Sequence, residues 1–263
     1  MIKNILAESR RAMNVGVFLG VIGVILSICF DSWNDLVRAF VNQNGCVHYF
    51  FWNSAYGGVC RTYLLPVFAA VPYATGFCAD KNNHVLSFVL VREGKKGYGA
   101  SKYIVNAFFG GMTVAIGTGI LFYSLAIFFP VAEEYSAEEI TPTLHFLIAS
   151  THPYLYGLVE VGNAFLRGML WSSLAIFVSL FIQDSLVVII SPYFLSFVLV
   201  QVYRIFGIPG EYRLDFLLTG RVVIKSSVYT LGICTIVVFA IVGLFGILFV
   251  KKIQRGVENG LYS

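Results

Sequence analysis

Residues Asp80 to Tyr103 read DKNNHVLSFVLVREGKKGYGASKY, the one strongly basic stretch of the chain, set between two long apolar segments. Its centre holds a short apolar cluster of Val85, Leu86, Phe88, Val89 and Leu90. Asp80-Lys81 precede that cluster, and Arg92-Glu93-Gly94-Lys95-Lys96-Gly97 follow it. This order predicts a brief amphipathic helix, a glycine-broken turn, and a new helix entering at Ser101-Lys102. Such a helix can lie across a membrane face and offer itself to a soluble partner while its ends stay fixed to two spans. The plainer alternative is a basic loop that only sets topology.

The surroundings require a membrane. Hydrophobic residues make up 58% of the 263-residue chain and charged ones 12%, with a mean hydropathy of +0.79. A soluble domain carries roughly twice that charge. Lipid must therefore be the solvent for much of the surface, and the length allows roughly six spans of ~20 residues in a single domain over 1–263.

The expected spans are Val15–Phe30, Tyr63–Ala79, Ile104–Phe129, Tyr154–Ile182, Leu186–Tyr203 and Val228–Val250. Pro66 and Pro72 fall inside the second, where they free carbonyls and kink the helix. Gly110, Gly111, Gly117 and Gly119 in the third would allow close helix contact. The fourth is too long for one vertical span, so its first turns are expected in the outer interface. The last has no charge and is the clearest of the set.

Ahead of them, Met1 to Asn14 carries Ile2, Ile5, Leu6 and Met13 on one helical stripe against Lys3, Arg10 and Arg11. That pattern suits an interfacial helix on an anionic leaflet, or simply a basic stop before a span. The apolar run Val15–Phe30 that follows is long and has no small-residue cleavage pattern after it, so a cleaved signal peptide is not expected.

Six spans put both termini on one side. With the N-terminus inside, the inner segments hold 11 of the 18 cations. This positive-inside bias agrees with an N-in, C-in topology and makes Asp80–Tyr103 cytoplasmic. The outer segments include an aromatic loop, Asp31–Arg61, and an acidic cluster at Glu133, Glu134, Glu138 and Glu139 that reads as a solvated face.

Several chemistries are excluded by motif. No phosphate-binding GxxxxGK[ST] loop, HExxH or GxSxG occurs. Glu133-Glu134 invites comparison with paired-glutamate intramembrane proteases, but the arginine expected four residues after the second glutamate is Glu138. The four histidines are dispersed, and the five cysteines show no CxxC pair and no metal-ligand spacing. Cys46 and Cys60 share the outer loop and could close a disulfide worth ~3 kcal/mol, or remain free thiols. Glu160, Asn163 and Arg167 lie at i, i+3 and i+7 on one helical face. They would line the outer mouth of a translocation path, or sit above the lipid with Arg167 snorkelling to the headgroups.

The acid at Asp80, the amphipathic stretch, Arg92 and then Tyr98-x-x-Ser101-Lys102-Tyr103 together resemble the ABC-2 class of ABC transporter permeases. Within that class the chain is similar to small permeases of Gram-positive bacteria, through PVFAAVPYATGFC at Pro66–Cys78 and HPYLY at His152–Tyr156. Where many members carry a glycine shortly after the acid and a proline beside the arginine, this chain has His84 and Glu93-Gly94.

The resemblance implies an all-α polytopic protein of six transmembrane helices, with an interfacial N-terminal helix at Met1–Asn14 and a coupling helix within Asp80–Gly97. It also implies a polar re-entrant outer segment, for which Arg204–Ser227 is the candidate. The implied role is the permease subunit of an ATP-driven exporter in the cell membrane, with no catalytic residue of its own. ATP and Mg would belong to a separate ATP-binding subunit, and a second permease copy or related permease would complete the assembly, with no nucleic acid. Asp80, Arg92, Tyr98 and Lys102 are the coupling-region residues it implies. A non-transporting assembly, immunity or sensor protein using the same basic loop is the alternative class.

Overall fold

The computed structural model describes residues 2–42, 45–131, 153–219, 224 and 226–259. Glu133, Glu134, Glu138, Glu139, His145 and His152 lie outside them. The described chain is all-helical. In order the helices are α1 (Ile2–Ala12), α2 (Val15–Asp31), α3 (Trp33–Asn42), α4 (Val47–Gly57), α5 (Val59–Tyr63), α6 (Leu65–Ala70) and α7 (Gly76–Asn82). After them come α8 (Leu86–Glu93), α9 (Lys95–Phe128), α10 (Pro153–Val178), α11 (Ser185–Ile205), α12 (Leu214–Thr219) and α13 (Ser227–Glu258).

Four of these, α9, α10, α11 and α13, are long and apolar enough to cross a bilayer. A fifth crossing arises if α1 and α2, bent by 62° at Met13-Asn14, count as one span. Asn14 fixes that bend by accepting from Gly16 N at 2.7 Å and donating to the Pro72 carbonyl at 3.2 Å. The apolar stripe expected on α1 divides: Ile2, Leu6 and Met13 are exposed, whereas Ile5 packs against Ala12, Tyr73, Val105 and Phe109.

The second expected span is not one helix. Tyr63–Ala79 is split into α5, α6 and α7, with a run of turns over residues 71–75. Pro72 supplies no N–H, and Pro66 sits in the first turn of α6, where its missing donor costs little. Among the described residues the chain presents four long apolar helices, or five crossings with the bent α1–α2 pair, and the second expected span is broken.

The long helix α9 is the centre of the packing, with α10, α2, α13 and α1 against it. Its closest partner is α10, and small residues set that distance. A Cβ on Gly110 would overlap the Ser172 side chain and stand 2.8 Å from the Ala69 carbonyl oxygen; one on Gly168 would strike the Gly110 carbonyl. With the backbones this close, Asn106 Nδ2 donates to the Ser172 carbonyl at 2.7 Å, and Ser172 Oγ donates back to the Asn106 carbonyl at 3.3 Å. Paired polar groups of this kind join helices where lipid gives no hydrophobic drive.

The aromatic segment Asp31–Arg61 also folds inward in part. Phe50 and Phe51 of α4 are buried in the core, and Phe50 meets Phe129 edge-on at 5.4 Å. Trp33 and Phe40 of α3 stay exposed, as an interface-facing segment would.

Candidate functional site

Helix α8 forms within the basic stretch and has two faces. Leu86, Val89 and Leu90 are buried and share a core cluster with Phe77, Tyr98 and Phe249. On the other face Phe88 is 76% and Val91 88% exposed, and Arg92 is exposed beside them. The helix is eight residues long and is bounded by tight backbone reversals. His84 stands at φ 55° before it, and Gly94 at φ 76° after it. The left-handed region suits glycine at 94 but is unusual for the histidine at 84.

Beneath α8 lies a buried charge network, built from three pieces far apart in sequence. Lys102 of α9 is 1% exposed, and its Nζ pairs with Asp80 Oδ2 at the end of α7. The same Nζ stands 3.3 Å from Glu8 Oε2 of α1. Tyr98 OH donates to Asp80 Oδ2 at 2.8 Å. Arg11, half-exposed, reaches Asp80 Oδ1 and Glu8 Oε1, each at 3.4 Å. The ring faces of Tyr73 and Tyr98 both lie 5.3 Å from the Lys102 ammonium, adding cation–π attraction.

Two acids and two cations thus balance where an unpaired charge would be costly. Each carboxylate faces a cation, an arrangement suited to holding helices together. It ties α1, α7 and α9 into one unit around α8.

The structure therefore divides the four residues singled out by resemblance. Asp80, Tyr98 and Lys102 come together inside the protein, and Arg92 stands apart on the exposed face of α8. Glu8 was not among the sequence candidates. The signal that marks it is that it is the single acid in the otherwise basic Met1–Asn14.

A second constellation sits around the start of α10. Glu160, Asn163 and Arg167 share a face as their spacing predicts, and all three are buried. Snorkelling of Arg167 is overturned: it is 4% exposed, and its Nη2 donates to the Leu218 carbonyl at 2.6 Å. Glu160 pairs with Arg61 Nη2 of α5, while Arg61 Nη1 donates to the Phe51 carbonyl at 2.7 Å and to Ser54 Oγ at 2.8 Å. Asp31, at the end of α2, caps α5 by accepting from Cys60 N at 3.0 Å and Arg61 N at 2.6 Å.

Between Arg61, Arg167, Asp215 and Thr219 lies a cavity of about 30 Å³, the space of about one water by the scale of buried hydration sites. The α12 side of this cavity belongs to the Gly- and Pro-containing segment after α11, where Arg213 pairs with Asp215 at 2.9 Å and stacks on Phe216 at 3.9 Å.

Cys46 and Cys60 are not joined to each other, so the disulfide alternative is not formed. Burial pushes the Cys60 thiol up, and the Asp31 carboxylate beside it pushes further in the same direction.

Comparison with protein-family models, with curated proteins and with solved structures gives no match in any of the three.

Proposed function

We propose that this chain is the membrane-spanning permease subunit of an ABC-2-type exporter, driven by ATP hydrolysis in a separate ATP-binding subunit. The observation that carries the reading is α8, which turns Phe88, Val91 and Arg92 outward while its other face is anchored to the core. An exposed apolar pair next to a cation is a surface for a groove on a soluble protein. A push on it would be passed by the Asp80–Lys102–Glu8 network to α7, α9 and α1 as a unit. In this reading both termini and α8 face the cytoplasm, α1 lies in the inner interface of the plasma membrane, and a second permease copy or a related permease completes the path. ATP and Mg are bound by the partner, and this chain contributes no catalytic group.

The test is co-purification from the native host of tagged wild-type protein and of Phe88→Glu/Val91→Glu. The wild type should recover an ATPase subunit, and the double variant should lose at least tenfold of it while keeping its own yield and melting temperature. Failure of the wild type to recover any ATPase would overturn the reading. It would then favour the non-transporting assembly, immunity or sensor class.

A further inference from the structure

The first turns of α9 and the last turns of α13 run antiparallel, and Lys95 Nζ stands 3.9 Å from a Glu258 carboxylate oxygen where they meet. Between the two helices lies a cavity of about 580 Å³, within the ~300–1,000 Å³ range of small-molecule sites. One end is polar, formed by Lys96, Lys251 and Gln254. The rest is apolar, walled by Ile104, Phe239, Val242 and Ile247, with Tyr103 holding the helices in place through its hydrogen bond to the Val242 carbonyl at 2.8 Å. From Gln254 to Phe239 the groove follows α13 for ~22 Å at ~1.5 Å per residue. That is longer than one leaflet of a hydrocarbon core of ~30 Å.

Its floor is shaped by glycine. Gly246 packs on Tyr103, where a Cβ would come within 2.8 Å of the ring, but a Cβ at Gly243 meets no atom within 4 Å. Position 243 is thus open space inside the groove.

We infer that this groove holds an anionic phospholipid of the leaflet at its basic end, one acyl chain along Ile104 and Gly243 and the phosphate between Lys96 and Lys251. The charge pattern selects this occupant. Neither lysine has a carboxylate among the groove-lining residues, and cations at the head of an apolar slot match a phosphate above an acyl chain. A symmetric second copy seated in the same slot would instead bring like lysines together at the same depth. The inference rests on α9 and α13 crossing a bilayer and is independent of any ATP-driven partner.

The test uses purified protein in vesicles of phosphatidylcholine with roughly a fifth phosphatidylglycerol, enough anionic lipid to give the surface charge that recruits lysines. Trace spin-labelled phosphatidylglycerol or phosphatidylcholine is added, and the motionally restricted fraction is read by electron paramagnetic resonance. Wild type should prefer phosphatidylglycerol by roughly tenfold, given a contribution of about fivefold per lysine, reduced by salt. Lys96→Gln/Lys251→Gln should erase the preference while leaving some restricted lipid of both kinds. Gly243→Phe should displace the restricted lipid whatever its headgroup, and cross-linking should find its oligomeric state unchanged. Equal restriction of the two lipids by wild type, or preference surviving in the double lysine variant, would overturn the inference. So would a Gly243→Phe variant that dissociates an oligomer without altering lipid restriction, because the groove would then be covered by a second copy.

Discussion

The two buried charge networks differ in how many partners each ion has. Near α8, Asp80 is met by Lys102, Tyr98 and Arg11, and Lys102 faces Asp80, Glu8 and two aromatic rings. Around α10, Glu160 is held by one cation, Arg61, whose other side-chain hydrogen bonds go to neutral acceptors of α4. The first network spreads its charge over three sequence-distant helices and reaches solvent through Arg11. The second is a single pair with both side chains nearly sealed. Redundancy should let the first tolerate displacement, whereas the second should behave as a fixed joint.

The largest expected effect falls on the fixed joint. Arg61→Met leaves Glu160 buried without its cation, and breaking such a pair costs about 3–5 kcal/mol. Thermal unfolding in detergent should show a larger loss for this variant than for any change in the network near α8. Arg61→Met/Glu160→Met should recover most of the loss, because two apolar groups leave no stranded charge. If the single variant unfolds like wild type, the joint is not bearing on stability.

A smaller effect is expected from Lys102→Met. Arg11 and Tyr98 remain on Asp80, so about 2–3 kcal/mol should be lost, below the usual cost of stripping a buried ion of all partners. Hydrogen exchange should then show α1 opening ahead of the α9–α10 pair, since Glu8 loses its buried partner while Asn106 and Ser172 keep theirs. Uniform loss of protection would contradict the view that the Lys102–Glu8 contact is what holds α1 to α9.

The smallest effect sharpens the first region. His84 occupies a left-handed backbone conformation, which costs a non-glycine residue roughly 1 kcal/mol or somewhat more. His84→Gly should raise the melting temperature slightly, with the gain offset in part by unfolded-state entropy. A clear fall would mean that the imidazole makes a contribution larger than the strain.

The sequence by itself determined the class of the protein. Its composition demands lipid, and the uninterrupted apolar runs of α9, α11 and α13 follow from a length requirement that local sequence satisfies directly. The amphipathic α8 was also legible, because a short apolar cluster and the glycine that ends it act within a few residues, whereas the bend that Asn14 caps after α1 was not read from the sequence. The glycines of α9 announced a close contact, although not that α10 through Gly168 would supply it.

Tertiary structure alone decided how the charges pair and how the second apolar segment runs. Hydropathy sees Tyr63–Ala79 as one span, yet Pro72 breaks it. The carbonyl of Pro72 itself accepts from Asn14, 58 residues away. Arg167 looked from its position like a residue reaching for headgroups, and is instead buried against the Leu218 carbonyl. Glu8, Asp80 and Lys102 have no spacing in common, so no periodicity could have joined them. A buried ion accepts whatever opposite charge the packing delivers, and in a membrane protein that choice is made by how helices cross, not by where their residues fall in the chain.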